Sequence, residues 1–294
     1  MLNQRFDARG AARRSWRAIG ALAGLLLAAC EGRFTADLAT DPPADPGINQ
    51  IQVGVLGLEF RTTDGATIAL DFRTSERVDL LDLAVGDPMR LFTSEELPAG
   101  QYSGVRLRFD PAQDATVVNT NGDVFPVVLA DGAFAPVDFA VEDNESSSEQ
   151  VTLTLDLRGS LRFDDIDDEY TLSPEVRTVR TSQAAQISGN VTTVCPAGTT
   201  LILGGAVYAY AGADVTPDDL DGTAPEPFAT TSVTLQPDTG GFAYALRFLP
   251  AGDYTLALSC RGNEDDLLAD DDLEFGDGAN ATVAAGATLL RNVN

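Results

Sequence analysis

Apolar and polar residues alternate along most of this chain with a period of two, the spacing of a strand that packs one face on a core. The strictest run is Val151-Thr152-Leu153-Thr154-Leu155-Asp156-Leu157. Earlier, Ile51, Val53 and Val55 alternate, and the phase then shifts to Leu56, Leu58 and Phe60, as a bulge near Gly54 or Gly57 would produce. Asp64-Gly65 and Asn121-Gly122-Asp123 carry hairpin-turn chemistry between alternating segments. Val78 to Leu83 forms a further apolar segment, followed by Val105-Leu107-Phe109, Val124 to Leu129, Val137-Phe139-Val141 and Tyr170 to Val179. The sole helical candidate in this half is the short Ser94–Leu97 stretch. The pattern predicts a β-sandwich over residues 48–182.

A second series begins after the polar link Thr181-Ser182-Gln183. It runs through Ile187 to Val191, Val207 to Tyr210, Val233 to Leu235, Phe242 to Phe248 and Tyr254 to Cys260. Both halves share one motif. Leu97-Pro98-Ala99-Gly100-Gln101-Tyr102 returns as Leu249-Pro250-Ala251-Gly252-Asp253-Tyr254, each copy a Pro/Gly turn leading into an alternating segment. Two β modules in series, 48–182 and 183–294, follow from this repetition.

The first 29 residues read differently. Arg5, Arg9, Arg13, Arg14 and Arg17 precede an apolar run from Ala18 to Ala29. Its twelve residues reach about 18 Å as a helix, short of the roughly 30 Å hydrocarbon core. This is the pattern of an export signal over residues 1–29. The run closes on Leu27-Ala28-Ala29-Cys30, which resembles the bacterial lipobox. That resemblance implies diacylglyceryl transfer to the Cys30 sulfur and cleavage before it, which would anchor the chain to a membrane of the cell envelope. The alternative is ordinary secretory cleavage after Ala29. Arg13-Arg14 lacks the flanking residues of a twin-arginine signal, so the export route stays open. Residues 30–47, polar and rich in Pro and Gly, are expected to be a flexible tether of up to about 60 Å.

Composition narrows the function classes. The 294 residues carry a formal charge of −26, all basic residues are Arg, and the balance beyond residue 29 is −30. Such a polyanion is unsuited to nucleic acid or anionic lipid surfaces. Histidine is absent, which removes Ser-His and Cys-His nucleophile pairs, His bases and His-containing zinc sites. The expectation is a non-enzymatic protein.

The order RVDLLDL, LPAGQYSGVRLRFD, FPVVLA, VTLTLDLRGSLRF and YTLSPEVRTV over residues 48–182 resembles a bacterial lipoprotein family catalogued as domain of unknown function 4382. It implies an envelope-exposed β module and assigns no catalytic residue. The later series ISGNV, GGAVYAY, TGGFAYALRFLPAGDYTLALSC is similar to carboxypeptidase regulatory-like domains, small transthyretin-like sandwiches, and implies a non-catalytic accessory module over residues 183–294. The fold expected for the whole is all-β: two consecutive antiparallel β-sandwiches, Ig-like or transthyretin-like, behind a signal peptide and a disordered tether.

With Cys30 set aside for lipid, Cys195 and Cys260 remain, each in phase with its neighbouring core positions. They are expected to form a disulfide whose loop closure contributes about 4 kcal/mol in the chain-entropy picture, with two buried thiols as the alternative. Acids crowd into four stretches: 142–145, 164–169, 218–221 and 265–272. None has the spacing of a calcium loop, and solvated loops are the plain reading. The candidates kept for calcium are Asp164, Asp165, Asp167 and Asp168. Rings at Tyr208, Tyr210, Phe242, Tyr244 and Phe248 include some on an outer face that would suit sugar stacking, although alternation sends at least half into the core. The functional expectation is a lipid-anchored envelope module for binding, adhesion or scaffolding, its partner an envelope or extracellular protein or a glycan. A calcium-responsive module is the alternative, and carboxylate-based glycan hydrolysis the remote third.

Overall fold

The computed structural model describes residues 31–142, 148–196 and 199–294. Residues 1–29, where a signal peptide is expected, Cys30 and most of the 142–145 acidic stretch lie outside these residues. The first module holds β1 (Glu31–Asp41), β2 (Ile48–Thr62), β3 (Thr67–Asp79), α1 (Leu80–Val85), β4 (Met89–Pro98), β5 (Gly100–Phe109), β6 (Thr116–Asn119), β7 (Val124–Leu129), β8 (Ala135–Val141), β9 (Ser148–Asp156), α2 (Leu157–Ser160), β10 (Leu161–Asp164), β11 (Glu169–Leu172) and β12 (Glu175–Arg180). One sheet has the order β12-β9-β1-β4. The other runs β10-β11-β7-β6-β2-β5-β8, with β3 on the free edge of β2. Phe34 of β1 meets Phe60 and Phe139 of the facing sheet at ring distances of 4.9 and 5.6 Å, and Tyr102 stacks on Phe139 at 5.1 Å. These rings join the two layers into one core.

The expected tether is a correction. Residues 31–41 form β1, an inner strand that pairs in parallel with β9 and antiparallel with β4. Phe34, Ala36 and Leu38 point into the core, a period of two hidden by polar neighbours that are themselves buried. Each of these finds a partner remote in sequence. Asp37 pairs with Arg90 and accepts from Gln150 (3.1 Å), Asp41 pairs with Arg177, Thr35 accepts from the Ser94 amide (3.2 Å), and Thr40 donates to the Leu80 carbonyl (2.7 Å).

Two further differences are local. The apolar run at Val78 divides, because Asp79 accepts from the Leu81 and Ile51 amides, both at 3.1 Å, and so caps α1, which buries Leu80 and Leu83. The Ser94–Leu97 stretch is extended within β4. The bulge expected in β2 falls at Gly57, where a Cβ would lie 2.2 Å from the Leu70 carbonyl oxygen.

After a helical turn at Thr181–Gln183, the second module comprises β13 (Ala185–Val191), α3 (Leu201–Gly204), β14 (Ala206–Ala211), β15 (Ala229–Ser232), β16 (Thr234–Leu235), β17 (Phe242–Leu249), β18 (Gly252–Ser259), β19 (Ala279–Val283) and β20 (Thr288–Leu290). Sheets β16-β17-β13-β20 and β15-β14-β18-β19 enclose Ile187, Val207, Leu246, Leu256 and Leu258. The all-β, two-sandwich expectation holds, but the sheets are not purely antiparallel: β1–β9, β7–β11 and β13–β20 run parallel.

The repeated motif has the same role twice. The Tyr102 hydroxyl donates to the Pro98 carbonyl (2.6 Å) and the Tyr254 hydroxyl to the Pro250 carbonyl (2.9 Å). Each tyrosine buries its ring while its hydroxyl holds the turn that precedes it, as tyrosine corners do in other sandwiches. Cys195 and Cys260 form the expected disulfide, with Cα atoms 5.8 Å apart, beside the second core.

Candidate functional site: an acidic centre at the joint of the modules

Alternation turns Val207 and Ala209 of β14 into the second core and sends Tyr208 and Tyr210 to the opposite face of the sheet. That face is covered. The long acidic insertion between β14 and β15 and the segment after β18 fold over it, leaving Tyr208 and Tyr210 at 0% and 1% exposure. Tyr244 is also buried, so these three rings are closed to sugar stacking. The Tyr210 hydroxyl pins the insertion, since it donates to the Asp218 carbonyl and accepts from the Asp218 amide (3.1 Å).

The first module reaches into this layer through one side chain. Asp156 caps α2 by accepting from the amides of Arg158 and Gly159 at 3.0 and 3.2 Å, which turns Arg158 out of the first module. The Arg158 guanidinium is buried in the second. It donates to the Gly262 carbonyl and the Tyr208 hydroxyl (3.2 Å), pairs with Asp265 Oδ2 (3.3 Å), and lies 5.3 Å from the Tyr208 ring centre. Tyr208 donates to the same Asp265 oxygen at 2.6 Å, while Asp265 Oδ1 accepts from the Leu220 amide at 3.1 Å. Burial pushes the Asp265 carboxyl up, against the opposing pull of Tyr208 and Arg158, and burial also pushes the Tyr208 phenol up.

Traffic in the other direction comes from β17. Arg247 donates to the carbonyls of Leu83 (3.0 Å), Ala84 (2.7 Å) and Gly86 (2.6 Å), which α1 leaves free at its end. Its own carbonyl accepts from Arg177, the partner of Asp41 (3.1 Å). Each module thus caps or charges a group of the other with a buried or half-buried arginine. A cleft of about 260 Å³ beside this joint is lined by Ile48, Phe163 and Tyr170 on one side and Asn263 and Asp266 on the other.

Behind Asp265 the carboxylates converge. Oxygens of Asp219, Asp265 and Asp271 lie within 4.8 Å of one another, and so do oxygens of Asp219, Asp221 and Asp270. Asp219 belongs to both groups. At 4.8 Å, two carboxylates repel by about 3–4 kcal/mol at an effective dielectric constant of ~20. Glu226 lies beside Asp221, and burial with that neighbour's charge raises its carboxyl. Burial first, then the Asp219 charge, raises Asp218.

The calcium candidates named from the sequence lie elsewhere. Asp164 ends β10 and Asp165, Asp167 and Asp168 form the exposed turn into β11. Asp164 Oδ1 is occupied by the amides of Ile166 (2.9 Å) and Asp167 (3.4 Å), and the structure does not bring these four into a converging group. What the sequence reading missed is that the 218–221 and 265–272 runs meet. Neither run has the spacing of a metal loop by itself. The pairing of β14 with β18 sets them face to face across more than forty residues of sequence.

The comparisons bear on the first module. Residues 31–174 match the family model described as Domain of unknown function (DUF4382). The matched segment starts at β1, the strand that polar residues had disguised, and ends just before β12. No curated protein matches the chain in sequence. Among solved structures, the chain overlaps the Bacillus anthracis TIE protein at 11% identity and a TM-score of 0.22, covering 90% of this chain and 33% of that one. A family 26 carbohydrate-binding module from Eubacterium rectale, in complex with maltoheptaose, gives 10% identity and a TM-score of 0.20 over 89% and 92% of the two chains. The minor pilin of Streptococcus agalactiae gives 10% and 0.21 over 88% and 94%. None of these overlaps supplies a residue or a ligand to this chain.

Proposed function

We propose that this is a lipid-anchored, non-catalytic protein of the bacterial cell envelope. Its first module stands on the membrane and holds the second, of carboxypeptidase regulatory-like type, outward as a binding or scaffolding surface for a protein or glycan. The observation that carries this reading is the position of β1. It begins at Glu31, one residue after the lipobox cysteine, and ends at Asp41, in the joint with the second module. Eleven strand residues span about 35 Å, so a lipid on Cys30 and the second module lie at opposite ends of a packed strand. A tether is unnecessary because the sandwich itself is the spacer.

Two further facts support the reading. The disulfide suits an oxidising compartment outside the cytoplasm. The chain has no histidine, and Asp265, the buried acid nearest the joint, is engaged by Arg158, Tyr208 and the Leu220 amide rather than free for proton transfer. No helix among the described residues is long and apolar enough to cross a membrane. The test is expression of the full chain in a bacterial host, with membrane and soluble fractions separated and the N-terminal peptide weighed. The wild-type chain should fractionate with membranes and begin at a diacylglyceryl-modified Cys30. Cys30→Ser should be soluble. A membrane-bound Cys30→Ser protein, or an unmodified wild-type Cys30, overturns the reading.

A further inference from the structure

We infer that the acidic centre of the second module is a calcium site held by Asp219, Asp221 and Asp270, with Asp265 and Asp271 forming a second group around Asp219 that joins it to the first module. The inference stands whether or not the chain carries lipid.

Converging acids alone do not make a site, but Asp219 adds a second fact. Its residue is 1% exposed, its Oδ2 accepts from the Asp271 amide (2.6 Å), and its Oδ1 is enclosed without any hydrogen-bond partner. A buried carboxylate oxygen without a donor is costly, and a cation at that place relieves the cost. Glu226 lies next to Asp221, with both of its carboxylate oxygens enclosed.

The remaining carboxylates are held in the same way, with one oxygen spent on the backbone. Asp221 Oδ1 accepts from the Thr223 amide (2.7 Å) and Asp271 Oδ2 from the Asp266 amide (2.6 Å). Asp270 is exposed, at the open side of the group. The donor set is oxygen alone, without the nitrogen or sulfur that zinc, copper or nickel prefer. A calcium shell of six to eight oxygens at about 2.3–2.6 Å accommodates oxygens up to about 5 Å apart, as these are, and tolerates irregular geometry, whereas magnesium demands a near-ideal octahedron and dehydrates reluctantly. An ion here ties the insertion (Asp219, Asp221) to the segment after β18 (Asp270). Asp265, adjacent to both, carries that stiffness to Arg158 and the joint.

The experiment uses the disulfide-intact chain from residue 31 onward, stripped with chelator, in thermal unfolding with and without calcium. Calcium at 10 mM should raise the melting temperature by several degrees, with a dissociation constant on the order of 0.1–1 mM, as in other extracellular modules. Magnesium at the same concentration should do less. Asp219→Asn, which keeps an acceptor for the Asp271 amide, should abolish the rise. Asp164→Asn in the β10–β11 turn should retain it. Terbium gives a second readout: excitation of Tyr208 and Tyr210 should sensitise its emission, and calcium should quench that emission by displacement. If Asp219→Asn does not fold, Asp270→Asn takes its place: Asp270 is exposed, its loss should weaken calcium about tenfold, and relief of its repulsion with Asp219 and Asp221 should leave the metal-free melting temperature no lower than that of the wild type. A wild-type melting temperature unmoved by calcium overturns the site. So does a calcium response, or a terbium signal, that survives both Asp219→Asn and Asp270→Asn.

Discussion

Arg158→Met tests the joint between the modules. Methionine keeps most of the volume of the arginine stem and removes its charge. What it leaves behind is a buried Asp265 whose Oδ2 retains only the Tyr208 hydroxyl, a Gly262 carbonyl without its donor, and a cation withdrawn from the Tyr208 ring. Removing one partner of a buried ion pair costs about 3–5 kcal/mol. Two hydrogen bonds still hold Asp265, so the lower end, about 3 kcal/mol, is expected. Asp265→Asn in the same background removes the stranded charge and keeps an acceptor, so the double variant should lose about 1–2 kcal/mol less than the separate losses summed. The assay is urea unfolding in chelator, followed by near-ultraviolet circular dichroism. Trp16 is the single tryptophan and lies in the leader, so the signal comes from the six tyrosines, Tyr208 among them. A loss below about 1 kcal/mol for Arg158→Met, or strict additivity with Asp265→Asn, would refute the buried lock.

Other substitutions test separate parts of the fold. Tyr102→Phe and Tyr254→Phe keep the buried ring and remove one hydrogen bond each, so each should lower stability by about 0.5–1.5 kcal/mol in chemical denaturation. Paired Cys195→Ser and Cys260→Ser should lower the stability of the second module by up to about 4 kcal/mol, seen as an earlier transition in calorimetry. Burial, and then the neighbouring Asp41 charge, lifts the Asp156 carboxyl to about 6. The native state therefore keeps a proton that the unfolded chain releases near pH 4, and stability on this account falls as pH rises from about 4 to about 6, by up to ~3 kcal/mol. Asp156→Asn, which still caps α2, should gain on the wild type across that window, and equal pH slopes for the two proteins would count against it.

Strands with one dry face and one wet face are legible in the sequence. Phe242 to Phe248 is of this kind, the Gly57 bulge shows where the phase of the alternation breaks, and Val151 to Leu157 was legible because its residue types alternate strictly, although Thr152 and Thr154 are buried as well. β1 was illegible because only three of its residues, Phe34, Ala36 and Leu38, mark the core-facing period, and charged residues stand between and around them. Its Thr and Asp side chains look solvated until Arg90, Arg177 and Ser94 arrive from other strands. The same difficulty concealed the acidic centre. Asp218 to Asp221 and Asp265 to Asp272 read as two soluble loops, and only the pairing of β14 with β18 shows that they share a volume. Tyr208 and Tyr210 are among the rings on the outer face of their sheet, but a period of two cannot say that a loop lies over that face. Arg158 sits within the LTLDLRGSLRF stretch that marked the family resemblance, and nothing local distinguishes it from a surface arginine.

The central proposal is that a lipid on Cys30 would set the body directly on the bilayer, because β1 begins one residue later. Neutron reflectometry of the lipidated protein on a supported membrane measures this. The account predicts protein density that begins at the headgroups and extends through both modules as one dense layer. A dilute, water-rich gap of tens of ångströms between headgroups and protein, as a 17-residue tether would leave, would contradict it.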